Sequence, residues 1–568
     1  AQASRLTAFF RAKRNVAPVR EDATLRSAKP PRFLAFSFVM SNDAKRAPAA
    51  PSVAFSSADA PGIPPSRLEL ALDPEAVACS NVHVPCRTKM LLALGEAIQG
   101  IWNTIAGFYL NSFLLEICCL DPGQVSMIQL VQGLFDAFND PFIGYLSDHT
   151  RTRLGRRRPW LLFGGPFLAI CYFGLWSTLP PDVGPGEKFI YYLACYMGVS
   201  VGMTCIQIQI VSLASELTSD YDERTLVGAY RLLSAVVFGL ICVMLHAFIV
   251  QSADRPAIGY RRSGGIFAIA IVIICGFVFK GIREKFTPGQ ESDARMSFLE
   301  EVRTVFSNRA FLCVIMVYLC GPTAVVLVQG NILLLCKYAL GNAGLLLWIM
   351  LTVQGTAILS APCWVWFGQR FGKRQIYCLG GPLLACAMFN IYFASNDTVA
   401  LITSTSIGAC LTIVYLTPYS MLPDVIDDDE YRTGKRREGI FAGFFNICLK
   451  LSVTLALTVS NLVFQAVGYV SPKSTCGAVG SASPEPDSDL PDEQPENVIF
   501  VLRLLAGPVP AALVLVATVF AWSFPITKDA LEVMASEAHV RREENVRKKA
   551  QLDVNLPETK YGVDHEQE

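Results

Sequence analysis

The chain reads as an all-α, polytopic membrane protein: twelve transmembrane helices in two pseudo-symmetric six-helix halves. Three observations lead there. Of 568 residues, 52% are apolar and only 17% charged, and mean hydropathy is +0.39; soluble domains carry roughly 25% charge. Apolar stretches long enough to cross a bilayer recur along the chain, and their continuity excludes the alternating pattern of a β-barrel. The second half also repeats features of the first. Ser212-Leu-Ala-Ser-Glu216 with Asp222-Glu-Arg-Thr225 is answered by Ser420-Met-Leu-Pro-Asp424 with Asp429-Glu-Tyr-Arg-Thr433, and Gly155-Arg156 by Gly372-Lys373. Two inverted or parallel repeats are the plan of a carrier whose solute binds between halves.

The expected spans are 90–118, 124–147, 159–180, 189–216, 226–251, 265–283, 310–337, 342–368, 375–394, 398–424, 438–468 and 498–523. Basic residues follow spans 2, 8 and 10 (Arg151, Arg153, Arg156–Arg158; Arg370, Lys373, Arg374; Arg432, Lys435–Arg437), whereas the last loop is acidic from Glu485 to Glu496. Positive charge stays inside, so both termini are expected there. Arg255, Arg261 and Arg262, read as a loop after span 5, run against this rule.

Around the spans, the expected organisation is a disordered or targeting tail over 1–88, the first half over 89–283, a linker over 284–309, the second half over 310–525 and a tail over 526–568. The linker stretch 297–306 is amphipathic and suits a helix on the inner membrane surface. The first tail is rich in Arg, Ala and Ser, which fits an organellar transit peptide, a disordered tail, or an extension ahead of a start at Met40. The plasma membrane is the expected location, with an organelle as the alternative. Most of the 18 cysteines, Cys118 and Cys119 among them, fall in spans as small packing residues. His149 and His246 read as structural, and no Cys/His cluster suggests a metal site.

The chemistry lies in charges placed where none should be. Asp136 and Asp140 stand one turn apart in span 2 with Asn139 beside them, and Pro141 frees the carbonyl of Ala137. A carboxylate in the hydrocarbon layer costs at least ~2.5–3.5 kcal/mol, so a pair on one face calls for a cation or a shared proton. The alternative is a helix packed on a basic partner in structural ion pairs. Lys450, deep in span 11, is the matching cation and is expected to neutralise the pair when the ion has left. Asp148, Arg153, Arg156, Arg157, Arg158, Glu216 and Asp424 are expected to latch the halves on the inner side.

The run from Asp136 to Pro159, with Asp424-Val-Ile-Asp-Asp-Asp-Glu430-Tyr-Arg-Thr-Gly434 and Lys450, resembles the glycoside–pentoside–hexuronide:cation symporters, the melibiose-permease family of the major facilitator superfamily. The resemblance spans 90–525 and implies the major facilitator fold, alternating access and coupling to Na⁺ or H⁺. It implies cation ligands Asp136, Asn139, Asp140 and Thr204, with Lys450 as charge partner and Arg231 as a solute ligand. The family's span-1 acid has no match in Gln99-Gly-Ile-Trp-Asn103, and its span-4 acid falls on Gln207. Leu94-Gly95, Gly107-Phe-Tyr-Leu110, Leu114-Leu-Glu116, Ala229-Tyr-Arg231 and Ser420–Asp428 are similar instead to the sodium-dependent lysophosphatidylcholine symporters. Their disulfide joins the loops after spans 5 and 11; Cys476 could be one half, but the loop after span 5 holds no cysteine.

The expected function is therefore secondary active symport of a sugar, glycoside or lysophospholipid with Na⁺ or H⁺. The solute is expected near Gln99, Trp102, Gln207, Arg231, Tyr415 and Lys450. A non-transporting sensor or scaffold with this fold is the alternative, and no nucleophile–base pair points to an enzyme. No cofactor is expected, and no metal beyond the coupling ion. Partners are a small organic solute or lysolipid and the bilayer, with no nucleic acid, and the protein is expected to be a monomer.

Overall fold

A computed structural model describes residues 85–180, 182–217, 221–282, 306–433, 438–471 and 494–526. Cys86–Thr88, expected in the first tail, belong to the first helix. The expected linker helix before residue 306, the first tail up to residue 84 and the last tail beyond residue 526 lie outside the described residues. Among those residues the regular elements are all helical, and the one pairing of strand type is an isolated bridge between Thr152 and Gly155.

The first half holds α1 (Cys86–Ile105), α2 (Pro122–His149), α3 (Arg158–Leu175), α4 (Pro185–Leu217), α5 (Tyr221–Gln251) and α6 (Pro256–Gly281). The second holds α7 (Arg309–Leu334), α8 (Leu345–Phe371), α9 (Lys373–Asn390), α10 (Asp397–Thr433), α11 (Glu438–Ala466), and a last span broken into α12 (Glu496–Ala506) and α13 (Pro508–Trp522). Among the described residues, nine spans are long and apolar enough to cross a membrane by length and composition. The helices α1, α2 and α3 pack among them; α2 carries the paired aspartates, and the run that begins with α1 passes into π-turns at Ala106–Leu110 and Phe113–Ile117.

Local chemistry sets the helix ends. Asp121 and Gln124 form a capping box at the start of α2, with Pro122 in the first turn, where a missing N–H is harmless. The Asn308 side chain accepts from the amides of Ala310 and Phe311 to start α7. Gly372, at φ 97°, makes the sharp corner between α8 and α9.

Two boundaries differ from expectation for one reason. Charge ends an apolar window, but a helix continues through charge where it reaches the interfacial layer. The arginines 261 and 262 sit inside α6, which begins at Pro256, so they are not loop residues. Likewise α10 continues past Asp424 to Thr433, which places Asp424, Asp428 and Asp429 on a helix.

Without a hydrophobic force between helices in lipid, close approach of backbones does the packing. A Cβ on Gly100 of α1 would lie 2.0 Å from the Ala235 carbonyl oxygen of α5. These two helices therefore pack as one pair and fix the register of the polar residues that α1 carries.

Candidate cation and solute sites

The span-2 aspartates face α4. Their spacing of four repeats there in Ser200 and Thr204, so two pairs stack turn for turn. The Thr204 hydroxyl donates to Asp140 Oδ1 at 2.8 Å, and the Ser200 hydroxyl donates to Asp136 Oδ1. Asn139 Nδ2 donates to Thr204 Oγ1 at 2.8 Å, and Asn139 and Thr204 are buried. The four residues expected as cation ligands thus lie together, joined by Ser200, which sequence reading passed over. Its signal was the shared i, i+4 spacing.

From the second half, Lys450 of α11 reaches across to both acids. Its Nζ stands 2.8 Å from Asp136 Oδ2 and 2.5 Å from Asp140 Oδ2. The Asp140 side chain is 37% exposed and Lys450 26%, so water reaches the group. Both carboxylates are thus engaged by one ammonium, so any other cation drawn to them has to compete with Lys450.

One helical turn further along α4, Gln207 Nε2 donates to Glu96 Oε1 at 2.9 Å. Arg231 of α5 donates to Glu96 Oε2 through Nε at 3.0 Å and through a terminal nitrogen at 2.6 Å. The stretch Gln99–Asn103 holds no acid, as expected, but Glu96, three residues before it, places one in the first span. Gln99 and Asn103 continue the same face of α1, hydrogen-bonded to each other at 3.2 Å. Trp102 packs on Tyr172 and Tyr196, with ring centroids 6.2 and 5.7 Å away, so it supports this wall.

Asn103 opens onto a cavity of about 300 Å³ between α1 and the second half. Val325, Ile349, Val353 and Leu411 give it an aliphatic character, while Gln329, Gln354 and Tyr415 supply scattered polar groups. Tyr415 is therefore placed in this chamber.

The residues expected to form the latch stand as follows. Asp424 takes the Lys373 ammonium at 2.7 Å, within its own half. Arg158 donates to the carbonyl of Phe279 at 2.8 Å, with its guanidinium over that ring. Arg157 is buried and Arg153 exposed; Arg156 is exposed, and the side chains of Asp148 and Glu216 lie outside the described residues. Cys119, read as a packing residue, is disulfide-bonded and adopts φ 57°.

A family model described as MFS/sugar transport protein matches residues 91–528. The chain belongs to that family. This transporter is 27% identical over 478 residues to the sodium-dependent lysophosphatidylcholine symporter 1-B of Danio rerio, covering 78% of the chain and 87% of that protein. Over 473 residues it is 27% identical to the sphingosine-1-phosphate transporter MFSD2B of Xenopus tropicalis, covering 78% and 88%. Over 557 residues it is 26% identical to the uncharacterized symporter sll1374 of Synechocystis, covering 83% and 99%. Its fold matches the crystal structure of a D-xylose-proton symporter with TM-score 0.56 at 14% identity, covering 78% and 98%. The major facilitator fold is thus established, and this multi-pass membrane protein is a transporter, not an enzyme.

Proposed function

We propose that this symporter couples Na⁺ to a zwitterionic amphiphile of the lysophospholipid class, by alternating access. The carrying observation is the competition at Asp136 and Asp140. Lys450 of the opposite half occupies the carboxylates that a cation needs, so ion binding and contact between halves exclude one another. Na⁺ arriving at Asp136, Asp140, Asn139 and Thr204, with Ser200 as a further oxygen, displaces Lys450. That changes how the halves are held together, which is what coupling requires. The all-oxygen donor set suits a hard cation, and relatives named as sodium-dependent support Na⁺ over H⁺.

For the solute, Arg231 offers a cation to a phosphate and Glu96 an anion to a quaternary ammonium, while the aliphatic chamber suits an acyl chain. Names of relatives carrying lysophosphatidylcholine and sphingosine-1-phosphate support this class. A glycoside is the second reading. Glu96 restores an acid to the first span, and Asn103, Gln329 and Gln354 are uncharged partners for sugar hydroxyls. The basic loop, Asp148, Glu216 and Asp424 enter the proposal as the latch of the state closed on their side. A monomer in the plasma membrane completes it; a fluorescent fusion confined to an organelle would overturn that location.

The test is uptake into proteoliposomes of labelled lysophosphatidylcholine and of labelled glycosides, each with Na⁺ and with pH gradients. Saturable Na⁺-driven lysolipid uptake is expected. Sugar uptake without lysolipid uptake would transfer the assignment to the second reading.

A further inference from the structure

On the side away from the basic loop, spans 1 and 7, the first spans of their halves, end alike. Each closes in a five-residue π-turn, Phe113–Ile117 and Leu335–Ala339. Such turns are rare and concentrate at functional positions, because the extra residue bulges a side chain out of helical register. Here the two turns meet. Glu116 of the first accepts from Lys337 Nζ at 2.8 Å and from the Tyr338 hydroxyl at 2.5 Å, both on the second. Its side chain is 9% exposed, and the Lys337 ammonium also lies over the Tyr338 ring, 4.8 Å from the centroid. Beneath this clasp the halves are joined by uncharged groups. Asn461 Nδ2 lies 2.8 Å from both Asn111 Oδ1 and Gln129 Oε1, and Ser126 Oγ donates to the Thr458 carbonyl at 3.2 Å.

We propose that Glu116, Lys337 and Tyr338 form the outer gate of the transporter, a clasp between the paired π-turns whose formation selects the outer-closed states. The chemistry distinguishes the two layers. The amide layer is neutral, and each half can find alternative partners when it parts. Glu116 is charged and buried: while closed it needs both donors, and when open it is satisfied by water. Removing its charge therefore tips the balance toward the outward-open state, whatever solute is carried. This device acts on the opposite side of the membrane from the basic loop and is independent of the cation ligands.

The reporter is Ser126→Cys, buried between the halves just below the clasp. Its modification by a membrane-impermeant maleimide added outside is followed by peptide mass spectrometry in membranes of expressing cells. Glu116→Gln is expected to raise the labelling rate on the order of tenfold, the scale of a lost charge-assisted hydrogen bond, and to lower the external half-saturation concentration of whichever solute is transported. The charge exchange Glu116→Lys with Lys337→Glu should return labelling toward the parent rate. Tyr338→Phe, which removes one hydroxyl, gives a smaller rise and serves if the charge variants fail to reach the membrane. Labelling unchanged in Glu116→Gln, or in Tyr338→Phe where that variant stands in, would overturn the gate. So would an exchange variant that reaches the membrane but stays as open as Glu116→Gln.

Discussion

Lys450 of α11 and Asp136 of α2 belong to opposite halves of the transporter, yet their charged atoms stand 2.8 Å apart. Helix α2 meets α11 at this level, and the same ammonium also holds Asp140. A contact between halves made through the proposed cation ligands would give the ion direct leverage on the conformation.

Asp140→Asn should therefore abolish cation-driven accumulation. The amide keeps the size of the carboxylate and can still accept from Thr204, so the purified protein should fold and elute as the parent does. Uptake into proteoliposomes with and without a Na⁺ gradient measures the loss. Accumulation that still responds to Na⁺ would remove Asp140 from the ion site.

Ser200→Ala removes the hydroxyl that donates to Asp136. A hydrogen bond to a charged group contributes about 1.5–3 kcal/mol, so the apparent affinity for the coupling ion should fall roughly tenfold or more. The Na⁺ dependence of uptake at saturating solute reads this directly. An unchanged Na⁺ curve would make Ser200 a packing residue.

Glu96→Gln should act on the other ligand. It leaves Arg231 without its carboxylate and Gln207 with an amide partner, and is expected to weaken solute affinity while the Na⁺ dependence stays put. Arg231→Lys should be defective too, because one ammonium cannot reproduce the two guanidinium hydrogen bonds to Glu96. Binding of solute to purified protein, titrated at fixed Na⁺, separates the two effects.

Gly100→Ala tests the fold independently of transport. The new methyl would meet the Ala235 backbone at 2.0 Å, and backbone cannot turn aside as a side chain can. Overpacking of this kind costs typically ~1–3 kcal/mol. A lowered unfolding temperature in detergent is expected; an unchanged one would mean that α1 and α5 part easily.

Much of this was legible before any coordinates. Intramembrane charge is expensive, so Asp136, Asp140 and Lys450 stood out against the apolar background and pointed to one another. Ser200 did not stand out, because a hydroxyl in a membrane helix is cheap and common; only its register against Asp136, visible once α2 and α4 are side by side, marks it. Glu96 was missed for another reason. It lies outside the stretch Gln99–Asn103 that corresponds to the family's span-1 acid, whereas α1 and α5, packed through Gly100, bring it level with Arg231. The pairing of Glu116 with Lys337 spans 221 residues and depends on π-turns, which leave no periodic trace in sequence. Helix ends were misplaced where charge was taken to end a helix, as at Arg261 and Arg262 and after Asp424.

The competition between Lys450 and the ion is the centre of the account, and cation binding to Lys450→Gln tests it most directly. Isothermal calorimetry of the purified variant with NaCl should show tighter Na⁺ binding than the parent, because the displaced ammonium is gone, while proteoliposomes lose Na⁺-driven accumulation. Weaker or unchanged Na⁺ binding in a folded Lys450→Gln protein would contradict it.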